Sequence, residues 1–448
     1  MIKNDMKLQE SLFAYAENFR DIKSVIDYTN EEFQKLEHPF GELFYNFSYY
    51  DIANGLIGNC LFLSEMYQVT GDMKYLLYAH QILKLGINRK GIESIDNPGL
   101  WSGLAGVCFV LETLNQNKDM YGDIIESCDQ VLKEQIRKKL NEAKLNLSND
   151  NVKMTDFDLM EGLVGITQYI LSYKMDHKEY LPLLYDITDY FIELAEYHIE
   201  NDRKVPNWLI KAENQFLNEE KVKYRLGNFN QGVSHGICGV LIILIKLYKV
   251  LKKENIKPAI KVLTEWFYNT KSTWNDCFVW EKKLKWEQLF EEKEIQYSEN
   301  QLNLSWCYGD LMIVYALSAA AELLNNHNLL LFTNNCLDSY EEANIHMNLI
   351  SPSICHGYAG TLFSIKKLKI MKNFEVLPTL SNQLLNSLTS SYDAKYKFGF
   401  KDVEEYNGKV ILMDKYCLLT GSSGIYLTLL FLEQQQIKTK WDALFLLD

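Results

Sequence analysis

The sequence predicts an all-α protein, an α/α toroid in which seven inner helices are surrounded by seven outer ones. Three observations lead there. A Gly-x-x-Gly element recurs at Gly55–Gly58, Gly103–Gly106, Gly162–Gly165, Gly236–Gly239, Gly357–Gly360 and Gly421–Gly424, and a degenerate copy runs from Gly309 to Met312. Recurrence at this scale is the signature of a repeat architecture. Each copy opens a run that is apolar nearly all round, such as VLIILIKLYKVLKK after Gly239, which suits a helix enclosed on several sides. The first and last units show no polar cap of the kind an open solenoid needs, so the array is expected to close on itself.

Taken in order, the chain begins with MIKNDMKLQESLFAYAENF, a charged amphipathic helix without the apolar stretch of a signal peptide. The copies then alternate with more amphipathic helical patterns, among them 73–86, 180–199 and 256–269. Glycine at each helix mouth permits unusual backbone angles and close approach of neighbouring chain. At Gly55, Gly103 and Gly421 tight packing is the whole of the reading. Two connections are long. Residues 200–234 and 270–304 alternate aromatic and charged residues, a pattern of short strands, and long connections tend to be functional. The chain, 1–448, is therefore read as one toroid domain, with 200–234 and 270–304 forming either a small β-containing lobe at its mouth or ordinary surface excursions.

Composition removes several classes. With 47% apolar and 13% aromatic residues the chain can bury a large core. A net charge of −13 offers no basic face to neutralise phosphates, which argues against nucleic acid. No segment has the uninterrupted apolar length of a membrane span, so membrane association is expected to be peripheral at most. The nine cysteines are odd in number and widely scattered, which suggests no disulfide framework and a reducing, cytoplasmic setting.

The chemistry is expected where the copies meet. Cys355 and His356 stand two and one residues before Gly357, and Cys307 stands two before Gly309. The two cysteines thus share a phase in adjacent copies, and closure of the ring would bring two thiols and an imidazole together. Three such ligands leave one tetrahedral position open, as in a catalytic zinc site, and helix N-termini favour thiolates. Cys60, Cys108, Cys128, Cys336 and Cys417 read as space-filling, and neither Cys238 nor Cys277 has an evident partner.

Seven Gly-x-x-Gly units, with SWCYG at 305–309 and CHG at 355–357 in this order and at this length, resemble the lanthionine synthetase C-like family, whose bacterial members include class I lanthipeptide cyclases. The resemblance spans essentially the whole chain and implies a seven-fold α/α toroid holding Zn²⁺ through Cys307, Cys355 and His356. The implied reaction is Michael addition of peptide cysteine thiols to dehydroalanine or dehydrobutyrine, giving lanthionine and methyllanthionine thioether rings. The implied partner is a dehydrated precursor peptide, with a lanthipeptide dehydratase and an ABC exporter as further partners.

Such a reaction needs a thiolate at neutral pH and an acid to protonate the enolate carbon. His235, one residue before Gly236 as His356 is before Gly357, is the candidate acid. Asp158 matches the family aspartate and would orient or polarise His235 or the substrate, with Asp156 and Glu161 close by in sequence. Tyr308 matches the family tyrosine and would hydrogen-bond the enolate or a water. The sequence departs from the family where some cyclases carry an arginine, here Asn303, for which Arg225 or Lys401 is a substitute. It also has Cys238 where a proline is common, and Met312 in place of a second glycine. Two other readings keep the same ligands: addition of glutathione or another thiol to dehydroamino acids, and a zinc-stabilised binding scaffold. Protein prenyltransferase β-subunits are a more distant analogy, with a different ligand set.

Overall fold

The computed structural model describes residues 6–34, 49–88, 91–116, 119–291, 302–343, 349–406 and 409–448. Helices α1 (Met6–Glu17) and α2 (Ile22–Gln34) precede the first glycine copy. Six inner–outer pairs follow: α3 (Asn59–Thr70) with α4 (Lys74–Asn88), α5 (Leu104–Asn115) with α6 (Gly122–Ser148), α7 (Leu163–Tyr173) with α8 (Leu181–Leu194), α9 (Ile237–Leu251) with α10 (Ile256–Asn269), α11 (Asp310–Leu323) with α12 (His327–Glu342), and α13 (Tyr358–Lys372) with α14 (Pro378–Ser390). The last inner helix, α15 (Ser422–Gln434), takes its outer partner from the start of the chain. Tyr15 of α1 stacks on Tyr426 of α15 at 4.5 Å and meets Phe62 of α3 at 5.0 Å. Its hydroxyl donates to the Tyr416 carbonyl at 2.7 Å. Each inner helix packs on the next, and α15 packs on α3, so the ring is closed.

Closure is written into the backbone of the loops ahead of the inner helices. Ile52 N–H donates to Trp101 O, Trp101 to Met160, Leu159 to Ser234, Val233 to Cys307, Cys307 to Cys355, Cys355 to Leu419, and Leu419 to Ala53. The lengths run from 2.8 to 3.2 Å. Every acceptor stands two residues before the first glycine of its copy, so the seven mouths share one phase around a continuous hydrogen-bonded circle. Buried peptide groups must find partners, and here each copy satisfies its neighbour. The glycines serve this approach. A Cβ on Gly309 would lie 1.9 Å from the Ser305 carbonyl, and one on Gly360 1.8 Å from that of Ile354. Neither glycine has a positive φ, so close approach, not an unusual backbone angle, is what the motif requires. Met312, in the degenerate copy, is fully buried.

The axis is filled. Trp101 and Trp306, from copies on opposite sides of the ring, stand 6.0 Å apart. Phe445, in the 3-10 turn Trp441–Phe445, packs edge-on to both at 5.3 and 4.9 Å. The Trp306 indole donates to the Phe445 carbonyl at 3.0 Å. All three rings are buried, so an aromatic plug closes the ring beneath its mouths, and the rim formed by the seven mouths bounds a basin above it.

Short strands occur in both long connections. β1 (Tyr197–Glu200) pairs with β2 (Arg203–Pro206), and β4 (Ser272–Trp274) with β5 (Cys277–Val279). β3 (Asn228–Asn230) pairs with β6 (Lys283–Lys285), tying the two connections together. The helix expected over 180–199 stops at Leu194, because Asn201 and Asp202 adopt left-handed angles (φ 49° and 59°) and turn Tyr197–Glu200 into a hairpin strand. A further hairpin, β7 (Asp402–Tyr406) with β8 (Lys409–Met413), has no counterpart in the sequence reading. Among the described residues no helix is long and apolar enough to cross a membrane.

Candidate active site

The residue immediately before the first glycine of each copy is Asn54, Ser102, Glu161, His235, Tyr308, His356 or Thr420. All seven are polar, and they surround the basin. Between copies three and six the chemistry is concentrated. Cys307 and Cys355, consecutive links in the backbone circle, bring their thiols into hydrogen-bonding contact. That contact, with the charges of His356 and Lys282, lowers the Cys307 thiol to about 6 despite burial. The same contact, with burial, pushes Cys355 well up.

His356 faces the other way. Its Nε2 lies 3.1 Å from Asp402 Oδ1. Burial opposes protonation of the ring, but Asp402 outweighs it and the net shift is upward. Asp402 also accepts from Ser351 Oγ at 2.6 Å and pairs through Oδ2 with Lys415 Nζ at 2.6 Å. Burial would raise its proton affinity, yet Lys415 and His356 hold the carboxyl well below its usual range. Among the described residues, the one group of potential ligands whose donor atoms lie within 4.8 Å of one another is His356, Asp402 and Glu404. The positive charge those carboxylates require is already supplied by the buried Lys415 ammonium, 2.6 Å from Asp402 and 3.5 Å from Glu404. Cys307, Cys355 and His356 do not form so tight a group with the ring in this orientation. Their donor chemistry, two thiols and an imidazole whose Nε2 is spent on a carboxylate, is nevertheless the set zinc takes.

On the other side of Cys307 stands His235. Its Nδ1 is 2.6 Å from Asp158 Oδ2, and Asp158 Oδ1 accepts the Glu161 and Gly162 amides at 2.8 and 2.7 Å. Asp158 is buried and His235 part-exposed. The two sequence neighbours have other engagements: Asp156 accepts from Asn146 and the Lys153 amide, and Glu161 accepts from Ser102. Tyr308 lies with its ring centroid 6.4 Å from that of His235, and its oxygen accepts from Asn230 Nδ2 at 3.2 Å. Burial holds the Tyr308 phenol well above its ordinary value, so it keeps its proton.

A cleft of about 640 Å³ opens over Cys307, Tyr308 and His356, and its walls include Lys282, Asn303 and Glu404. Cys355, His235 and Asp158 do not line it. Neither Arg225 nor Lys401 does, and the Lys401 ammonium sits 4.5 Å over the Tyr396 ring. Lys223, Lys282 and Lys283 line the cleft, and of these Lys282, which sequence reasoning missed, is the one whose charge acts on Cys307. Asn303 instead shapes the loop: its side chain accepts the Ser305 amide at 2.9 Å, and its own amide donates to the buried Asp310 at 2.8 Å. Asp402 and Lys415 were missed too. Asn407-Gly408 between Val403–Tyr406 and the β-branched and apolar run Val410–Leu412 is the signal that would have found their hairpin, though not their burial.

The family model described as lanthionine synthetase C-like protein matches residues 46–446. Nisin biosynthesis protein NisC of Lactococcus lactis subsp. lactis is 24% identical over 405 residues, 89% of this chain and 91% of that relative. The solved structure of nisin cyclase has the same fold, with a TM-score of 0.76 at 23% identity over 96% of this chain and 97% of that one. With its seven-fold ring and a family match over most of its length, the chain belongs to the lanthionine synthetase C-like family.

Proposed function

We propose that the protein is a cytoplasmic lanthipeptide cyclase that adds cysteine thiols of a dehydrated precursor peptide to dehydroalanine or dehydrobutyrine residues of the same peptide. One observation carries the reading. Cys307 and Cys355, at equivalent positions of adjacent copies, come together beside His356, Cys307 and His356 line a cleft, and the next copy presents a histidine held by a buried carboxylate. Membership of the family and the likeness to a nisin cyclase support it.

Cys307, Cys355 and His356 would hold Zn²⁺, which when bound lowers the proton affinity of a further, substrate-derived thiol. The chain's own residues do the rest. In the addition the sulfur–carbon bond forms as the carbon–carbon double bond opens, and the proton lost by the thiol is returned to the α-carbon, so the peptide's mass is unchanged. His235 moves that proton through Nε2. Its Nδ1–H is held by Asp158, which fixes the ring's orientation and tautomer. Tyr308 keeps its hydroxyl hydrogen for the oxygen on which enolate charge accumulates. Lys282 places a positive charge on the same wall of the cleft. The described residues of the segments 200–234 and 270–304 we read as a lobe bounding that wall; 292–301 lie outside them.

The test is His235→Ala. The variant should retain zinc at the wild-type stoichiometry and lose cyclisation of a dehydrated peptide. Full activity would remove His235 from the mechanism, and lost zinc would make its role structural.

A further inference from the structure

We infer that Asp402, backed by Lys415, is a positioning residue for His356, holding the imidazole by Nε2 so that Nδ1 is the atom offered to the metal. The inference rests on the zinc reading above and adds to it which ring nitrogen binds and what holds it.

The geometry is specific. Asp402 and Lys415 are 0% and 4% exposed at their side chains, whereas His356 is 30% exposed. The carboxylate meets Ser351 and His356 on Oδ1 and is ion-paired through Oδ2 with Lys415. Lys415 in turn donates to Thr420 Oγ1 at 3.1 Å. Burying a carboxylate and an ammonium is expensive unless they are paired, and here each neutralises the other at 2.6 Å. A pair retained only for stability would need no contact with the cleft. This one spends a lone pair on the single cleft-facing imidazole in reach. Metal-ligating histidines characteristically give their second nitrogen to a carboxylate, which sets tautomer and ring orientation.

The chain path supports the same role. Asp402 begins β7 and Lys415 follows β8, so the base of one hairpin places both. The loop carrying Lys415 continues to Leu419, whose carbonyl accepts the Cys355 amide at 3.1 Å. One loop thus braces Cys355 by backbone and His356 by side chain.

Two measurements test this. In zinc-loaded protein with ¹⁵N-labelled histidine, the His356 ring should carry its proton on Nε2 and the metal on Nδ1; metal on Nε2 overturns the inference. Zinc affinity, read by competition with a chromophoric chelator, should fall about 10- to 100-fold in the double variant Asp402→Asn/Lys415→Met, which removes both buried charges together. His235→Ala serves as a control with affinity unchanged. Wild-type affinity in a folded double variant overturns the positioning role and leaves the zinc site standing. If zinc binding by wild type proves indifferent to Cys307→Ala and Cys355→Ala, the underlying zinc reading fails instead.

Discussion

The two halves of the basin share one backbone and differ in side chains. Around copies seven, one and two, the residues two before the glycine are Leu419, Ala53 and Trp101, and those one before are Thr420, Asn54 and Ser102. The polar ones satisfy each other: Thr420 donates to Asn54 at 3.1 Å, and Ser102 takes a bond from Asn97 and gives one to Glu161. Around copies four, five and six, the same positions hold Ser234, Cys307 and Cys355, then His235, Tyr308 and His356. Here each ring is held from behind, by Asp158, Asn230 or Asp402, and part of it is left open. The circle of amide bonds is indifferent to what it carries. Reactivity comes from which copies present groups that their neighbours orient without exhausting.

That contrast can be broken at several depths. The largest effect is expected from Cys307→Ala or Cys355→Ala, either of which should strip zinc from the purified protein and lower cyclisation by on the order of a thousandfold or more. Unchanged metal content in both would place the metal elsewhere. Asp158→Asn replaces the carboxylate that fixes the His235 ring and tautomer with an amide, and should cost about a hundredfold in rate with zinc intact. Tyr308→Phe removes one hydrogen bond to developing charge and should cost about tenfold, mainly in kcat.

A smaller effect concerns stability. The reactive half alone carries a buried carboxyl directly after its glycine, Asp310, which accepts the Trp280 and Asn303 amides at 2.8 Å each. Burial pushes it up to about 7, against about 3.9 in an unfolded chain. The folded protein therefore binds the extra proton between those values, and this contribution is complete below about pH 4 and lost as pH rises through about 7. Asp310→Asn should flatten the dependence, so that its melting temperature gains on wild type between pH 5 and pH 8, by the equivalent of about 1–3 kcal/mol. An identical pH profile would refute the assignment. In the quiet half, Ser102→Ala should leave rate and zinc within about twofold of wild type; a larger loss would mean that the basin works as a whole.

How much of this the sequence disclosed follows from which interactions are local. The seven mouths were legible because close backbone contact leaves a glycine wherever it occurs, and Met312 stood out as the exception. Cys307, Cys355, His356, His235 and Tyr308 were legible through their shared phase, since equivalent positions in a closed ring must face one another. Asp158 could be told from Asp156 and Glu161 only in three dimensions, where it alone reaches His235. Asp402 and Lys415 were not legible. A charged pair flanking a hairpin reads as solvated edge, and nothing within a few residues of either indicates that the fold buries both against Ser351 and His356. Lys282 was hidden likewise, because β3 and β6, from separate connections, must pair before that wall exists.

The central claim is that this protein closes thioether rings, and free thiol is its most direct readout. Ring closure leaves the mass of a dehydrated, cysteine-containing peptide unchanged but removes its thiols. Incubation with the zinc-loaded protein, followed by alkylation and mass spectrometry, should therefore show peptide that no longer takes up the alkylating group. With Cys307→Ala the peptide should remain fully alkylated. Wild-type reactions in which every cysteine still alkylates, across a panel of dehydrated, cysteine-containing peptides that a nisin cyclase closes, would contradict the account.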